Sequence, residues 1–225
     1  MFKNNREDIY DRKVNYSFIS LLSSKIRIGV IGGGKASLIK IRHFINLGCY
    51  VEVISKEFNE EIIKLTKNSK SKLKLIKEEF NCEFIKDKHI ILIAIDDINT
   101  IQKVKKYCEE NFKIYINSSN FKEGMGVVPV QKDLENISFG INTIGGNPKG
   151  AVLLSNKVNE VLKEYDEFIG FTTDIRNKAK ILKNHKKEII NFIGTEDFKY
   201  FYDKGKSNLI LNMYFSKEIV EYLLG

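Results

Sequence analysis

The chain has 225 residues and a formal net charge of +8, with 43% hydrophobic and 29% charged residues. That balance excludes a wholly disordered chain, a collagen-like repeat and a disulfide-framed mini-protein, and the length holds one or two domains with a sizeable core. The longest apolar run, residues 90–95, falls well short of the roughly 20 residues of a membrane-spanning helix, no signal-peptide core opens the chain, and Cys49, Cys82 and Cys108 form no CxxC pair, so a cytoplasmic protein with reduced thiols and no membrane partner is expected.

Residues 1–24 read as an N-terminal extension. From there to residue 117, short apolar runs alternate with longer amphipathic stretches. Arg27–Ile31 reads as a buried strand, and residues 36–47 as a helix that Gly48 stops. Residues 50–55 form the next strand and 58–67 the next helix. Leu73–Ile76 is a weak strand, and residues 89–95 are a central strand apolar on both faces. A helix over 98–111 and a strand over 113–117 complete the set. This alternation predicts a parallel sheet with right-handed crossovers, a Rossmann-type α/β domain over residues 25–125.

After residue 117 the pattern changes. A glycine-containing loop precedes two short strands, 127–130 and 137–143, with their turn at 132–136. Residues 126–150 therefore read as a small antiparallel addition with the character of an interface element. Residues 151–225 read as a helical domain: Leu154, Val158, Val161, Tyr165 and Phe168 recur at three- and four-residue spacing, and Ile181, Ile189, Ile190 and Phe192 suggest further helix.

The positive charge is concentrated. Residues 25–80 hold 12 basic and 6 acidic side chains, much of the excess within 64–77, whereas residues 81–150 balance. Such a run is a solvated face or a field that attracts an anionic ligand. No basic–aromatic interleaving or RNP-type motif accompanies it, so no nucleic-acid partner is expected.

The sharpest motif is Gly32-Gly33-Gly34-Lys35-Ala36-Ser37, which follows the first strand and opens the first helix. It fits G-x-G-x-x-[G/A] with Ser37 in the third small position. Gly32 lets the chain turn, Gly34 leaves room for a pyrophosphate, and Ser37 lets the helix approach the sheet. The helix N-terminus presents N–H groups and partial positive charge to the phosphates. An acid at the end of the second strand would select NAD and a base would tolerate NADP. Ser55 and Lys56 stand there with Glu57 beyond, a set that selects neither, so NAD and NADP both stay open on these residues. Ala94, Ile95, Asp96 and Asp97 lie at the C-terminal end of the central strand, at the edge where ligands bind in open α/β sheets, and Asp96 and Asp97 read equally as caps of the next helix. Asn142, Thr143, Gly145, Gly146, Asn147 and Lys149 form a polar, glycine-rich corner whose backbone N–H groups could bind an anionic group, and Asn147 could equally cap the helix that Pro148 begins. Cys49 and Cys108 read as buried small hydrophobes. His43, His89 and His185 show no metal-ligand spacing with the cysteines, and no metal site is assigned.

These residues resemble the bacterial precorrin-2 dehydrogenase family, whose relatives include the siroheme synthase N-terminal region and dual dehydrogenase/ferrochelatase proteins. The resemblance runs through YSFISL at 16–21, IRIGVIGGGKASLIK with Lys40, IAIDD at 93–97, YIN at 115–117, VVPVQ and INTIGGNPKGAV at 141–152. It implies a homodimer joined through a dimerisation segment at residues 126–150, and NAD-dependent oxidation of precorrin-2 to sirohydrochlorin, for siroheme or cobalamin, with Fe2+ insertion in some members. It also implies substrate-binding roles for Asn117 and for the 142–149 corner. Members commonly carry an Asp three residues after the Asn matched by Asn117. This chain has Ser118-Ser119-Asn120, so Ser119 and Asn120 stand as the candidate catalytic positions. A dinucleotide-binding sensor without turnover is the alternative from another class.

Overall fold

The computed structural model describes residues 15–68 and 72–225. Residues 1–14 of the N-terminal extension and 69–71 of the lysine-rich run lie outside the described residues. The chain divides into two compact units after Val128.

The first unit carries five strands, β1 (Arg27–Ile31), β2 (Tyr50–Ile54), β3 (Leu73–Ile76), β4 (Ile90–Ile93) and β5 (Ile114–Asn117). They form one parallel sheet in the order β3-β2-β1-β4-β5. Two faces are buried because the strand residues are apolar on both sides. One face packs Ile28, Val30, Val51, Val53, Leu92 and Ile116 under helices α1 (Lys35–Asn46) and α2 (Glu60–Asn68). The other packs Ile31, Ile54, Ile91 and Ile93 against α3 (Ile98–Glu110). Each such side chain, wholly removed from water, contributes about 1.5–3 kcal/mol. Between β3 and β4 a short 3-10 turn, Cys82–Ile85, replaces a crossover α-helix. Cys49 and Cys108 are buried within these cores, and Cys82 is exposed. Burial pushes the Cys108 thiol up to about 12, so it behaves as an inert hydrophobe.

The second unit opens with an antiparallel hairpin, β6 (Val130–Asp133) and β7 (Ser138–Ile141). This corrects the expected strand at 127–130 and turn at 132–136. Lys132 and Asp133 are inside the ladder, opposite Phe139 and Ser138, and the tight return runs from Leu134 to Ile137. The Asp166 carboxylate of the following helix accepts the Glu135 and Asn136 N–H groups and fixes that return.

Five helices follow: α4 (Pro148–Ala179), α5 (Lys186–Ile193), α6 (Glu196–Asp203), α7 (Ser207–Tyr214) and α8 (Lys217–Leu224). Phe168, Ile175, Ile189, Phe198, Leu211 and Val220 form their core. Ile181 departs from its expected helical place. It lies in the turn between α4 and α5 and is 74% exposed. Among the described residues no helix is long and apolar enough to cross a membrane.

Candidate functional site

Parallel strands place all their C-terminal ends on one edge, and the order β2-β1-β4 reverses direction between β1 and β4. That crevice is where open α/β sheets bind ligands. The chain turns sharply there. Gly32 has φ +113°, a conformation that side chains resist, and a Cβ on it would stand 2.2 Å from the Ala94 carbonyl oxygen. Its N–H donates to Ile54 O, while Ala94 N–H donates to Ile31 O. The ends of β1, β2 and β4 are thereby stitched together around the turn. Gly33 is packed against the Glu57 carbonyl, and its own carbonyl accepts the Asn59 N–H.

Gly34 differs from both. It is exposed, its backbone is extended, and a Cβ on it would meet nothing within 4 Å. It is the N-cap of α1 with no capping side chain, and a helix leaves its first N–H groups without intrahelical partners. Lys35 and Ala36 are exposed, whereas Ser37 is buried and donates its hydroxyl to Gly34 O at 2.7 Å. The result is a stretch of bare main chain, open to solvent, with N–H groups at a helix positive end. Its shape and charge suit a diphosphate, so these residues fit a dinucleotide.

The other expected positions are distributed as follows. Ser55 follows β2 and is tied by its N–H to Ile76 O. Lys56 is exposed and its ammonium pairs with Glu79 at 2.8 Å, which holds the Glu79 carboxyl below the usual range. Ala94 and Ile95 are half-buried and Asp96 exposed at the end of β4. Asp97 caps α3: its carboxylate accepts the Asn99 and Thr100 N–H groups at 3.3 and 3.1 Å and the Thr100 hydroxyl. Those bonds lower its pKa.

Asn117 ends β5 and is 3% exposed. Its Oδ1 accepts Ser119 N–H, Ser119 Oγ–H and Asn120 N–H at 3.1, 3.2 and 3.4 Å. The amide therefore shapes the turn that presents Ser119 and Asn120, both exposed. Asn120 Nδ2 donates to Glu123 at 2.9 Å, and Glu123 also pairs with Lys105 at 3.0 Å. These four strand ends meet at the same edge of the sheet.

The 142–149 corner belongs to the second unit. Thr143 Oγ1 accepts the Asn147 N–H at 2.6 Å, Gly146 donates to Thr143 O with φ +70°, and Asn147 Oδ1 accepts Gly150 N–H. Asn147 is thus the cap of α4, ahead of Pro148 in the first turn. Asn142 is half-buried, and Gly145, Gly146 and Lys149 are exposed. Among the described residues no group of three or more His, Cys, Asp or Glu could hold a metal ion. His89 stands at the opposite end of the sheet, where its Nδ1 accepts the Arg27 N–H.

Sequence reading passed over the Asn117 turn and the Lys56–Glu79 pair. The first has a legible signal, since Asn followed by two small polar residues favours a side-chain-bonded turn. The second joins residues 23 positions apart across a strand crossover and has none.

A family model described as "Putative NAD(P)-binding" matches residues 19–130. A Methanocaldococcus jannaschii protein named "Putative precorrin-2 dehydrogenase" is 30% identical over 149 residues, covering 62% of this chain and 70% of that relative. A Priestia megaterium protein named precorrin-2 dehydrogenase is 22% identical over 178 residues, covering 76% and 85%. A solved structure named SirC, precorrin-2 dehydrogenase, shares the fold with a TM-score of 0.66 at 21% identity, covering 88% of this chain and 98% of that one.

Proposed function

The chain belongs to the family of precorrin-2 dehydrogenases and siroheme synthase N-terminal regions, and from that premise we propose that it oxidises precorrin-2 to sirohydrochlorin with NAD in siroheme biosynthesis. Its N-terminal part is an NAD(P)-binding domain. The observation that carries the reading is the open, glycine-capped start of α1 at the reversal of strand order.

In this reading the main chain of Gly32, Gly33, Gly34, Lys35, Ala36 and Ser37 holds the pyrophosphate. Ser55 and Lys56 stand beside the adenosine ribose, and Ala94, Ile95 and Asp96 line the path toward the reacting end. The Lys56 ammonium is already paired with Glu79, and Glu57 follows it. Lys56 is thus not free to pair with a second phosphate on the ribose, which supports NAD over NADP.

The nicotinamide, when bound, supplies the hydride acceptor. The chain's own work is to orient the macrocycle and release a proton. Ser119 and Asn120 have no basic group at neutral pH, so they hydrogen-bond the substrate and a water that carries the proton to solvent. Asn117 keeps that turn in shape. The 142–149 corner offers backbone N–H groups and Lys149 to the carboxylate arms of the substrate. Residues 126–150 supply the interface of a homodimer.

The test is absorbance at 340 nm with enzymatically generated precorrin-2 and each dinucleotide. NADH formation, faster with NAD+ than NADPH formation with NADP+, is expected. A protein that binds NAD+ yet reduces neither dinucleotide in the presence of precorrin-2 is a binding module, and the dehydrogenase reading then fails.

A further inference from the structure

Two polar groups of the first unit are withdrawn from solvent and lack partners among the described residues. Lys40 is on α1, half-buried, with no hydrogen bond or ion pair among the described residues. Burial alone lowers its pKa. The second group is the Ser118 hydroxyl, which is shut off from solvent and has no hydrogen-bond partner. Buried polar groups are ordinarily paired, and an unpaired buried ammonium is among the costlier exceptions.

The fold brings both to one side of the sheet. Leu38 and Ile41 of α1 pack with Leu92 of β4 and Ile116 of β5 in a single core. The flank of α1 that faces α2 carries Arg42, which pairs with Glu61. Two residues of helix turn the chain by about 200°, so Lys40 occupies the other flank, on the side of β4 and β5. A helical lysine also leans back toward the N-terminus, here toward the glycine loop. On β5, side chains alternate between faces. Ile116 belongs to the α1 core, and Ser118, two residues on and still bonded through its N–H to Ile93 O, shares that face. Ser118 also begins the turn that presents Ser119 and Asn120.

We propose that Lys40 and Ser118 form a carboxylate-binding subsite, beside the dinucleotide loop, that takes one acetate or propionate arm of the tetrapyrrole. The inference rests on the dehydrogenase reading for the identity of the ligand. The chemistry is that of a single ammonium with a hydroxyl donor: one carboxylate satisfies both. Binding also relieves the desolvated charge, so the subsite discriminates against neutral or methyl-esterified arms.

The experiment is titration of sirohydrochlorin into the NAD+-saturated protein, followed by its absorbance, for wild type, Lys40→Met, Lys40→Arg and Ser118→Ala. Lys40→Met is expected to weaken tetrapyrrole binding roughly tenfold to a hundredfold, the range for one charge-assisted hydrogen bond. Ser118→Ala is expected to weaken it about threefold to tenfold. Lys40→Arg restores most of the affinity, and NAD+ affinity stays at the wild-type value in all three. Thermal melting separates this from a packing role: Lys40→Met should melt at or above the wild-type temperature, because an unpaired desolvated charge is removed. Unchanged sirohydrochlorin affinity in both Lys40→Met and Ser118→Ala overturns the subsite and leaves the dehydrogenase reading standing. Parallel loss of NAD+ and tetrapyrrole affinity overturns it too. A wild-type protein that binds NAD+ but no sirohydrochlorin overturns both.

Discussion

A methyl group added at Gly32 would meet the Ala94 carbonyl oxygen at 2.2 Å, whereas one added at Gly34 would meet nothing within 4 Å. Two glycines of one motif therefore answer to different forces. Gly32→Ala combines a positive φ with a main-chain clash, and roughly 2–4 kcal/mol of lost stability is expected, visible in denaturant melts. Gly34 has the extended backbone of an N-cap, where Asp is among the preferred residues. Gly34→Asp should leave the melting temperature equal or slightly raised, because the new carboxylate accepts the first-turn N–H groups. The same carboxylate would stand where the proposed diphosphate lies and repel it. Loss of NAD+ affinity by roughly a hundredfold or more is expected in a fluorescence titration. A variant that melts normally and binds NAD+ as wild type would show that the diphosphate is held elsewhere.

Among the elements, α3 shows how local chemistry sets a boundary. Ile98 begins the helix because Asp97 caps it through three donors. Asp97→Ala should lower the melting temperature at pH 7 by roughly 2–5 °C. The Asp97 pKa is depressed in the folded state by the Thr100 and Asn99 donors. Its stabilisation is thus fully present above the unfolded value near 3.8 and is lost as pH falls through the folded value. Melts of the two proteins across pH should converge in acid and stay apart at neutrality. This cap was readable in the sequence, as were the five strands, because apolar runs and glycine or aspartate punctuation are local signals. The hairpin was not read in register. Lys132 and Asp133 look like turn residues, yet cross-strand partners at Phe139 and Ser138 hold them in β6. Ladder position depends on the partner strand, and a single segment does not carry it. The same limit applies at the site. The glycine loop is local and was legible, whereas the engagement of Asn117 in its own turn and the pairing of Lys56 with Glu79 are settled by packing.

At the scale of the whole molecule, each unit has its own apolar core, yet the second leaves a run of apolar side chains uncovered. On α4, Ala151 and Ser155 are buried, while Val152, Leu153 and Leu154 are 47%, 62% and 50% exposed. Ile144, in the turn that leads into the helix, is 59% exposed. Exposed apolar residues grouped at one helix end suit a binding surface, and their position beside the 126–150 segment fits association of two copies of the chain. Each leucine that becomes buried contributes about 1.5–3 kcal/mol, whereas a glutamate in its place has to be desolvated without a partner. Leu153→Glu combined with Leu154→Glu should therefore convert the proposed homodimer to a 26.0 kDa monomer in light scattering after gel filtration. The two positions are exposed, so the monomer should retain its fold, and the glycine loop, in the other unit, should still bind NAD+ as wild type. A wild-type protein that already elutes as a monomer at tens of micromolar, or a double variant that stays dimeric, would move the interface away from α4.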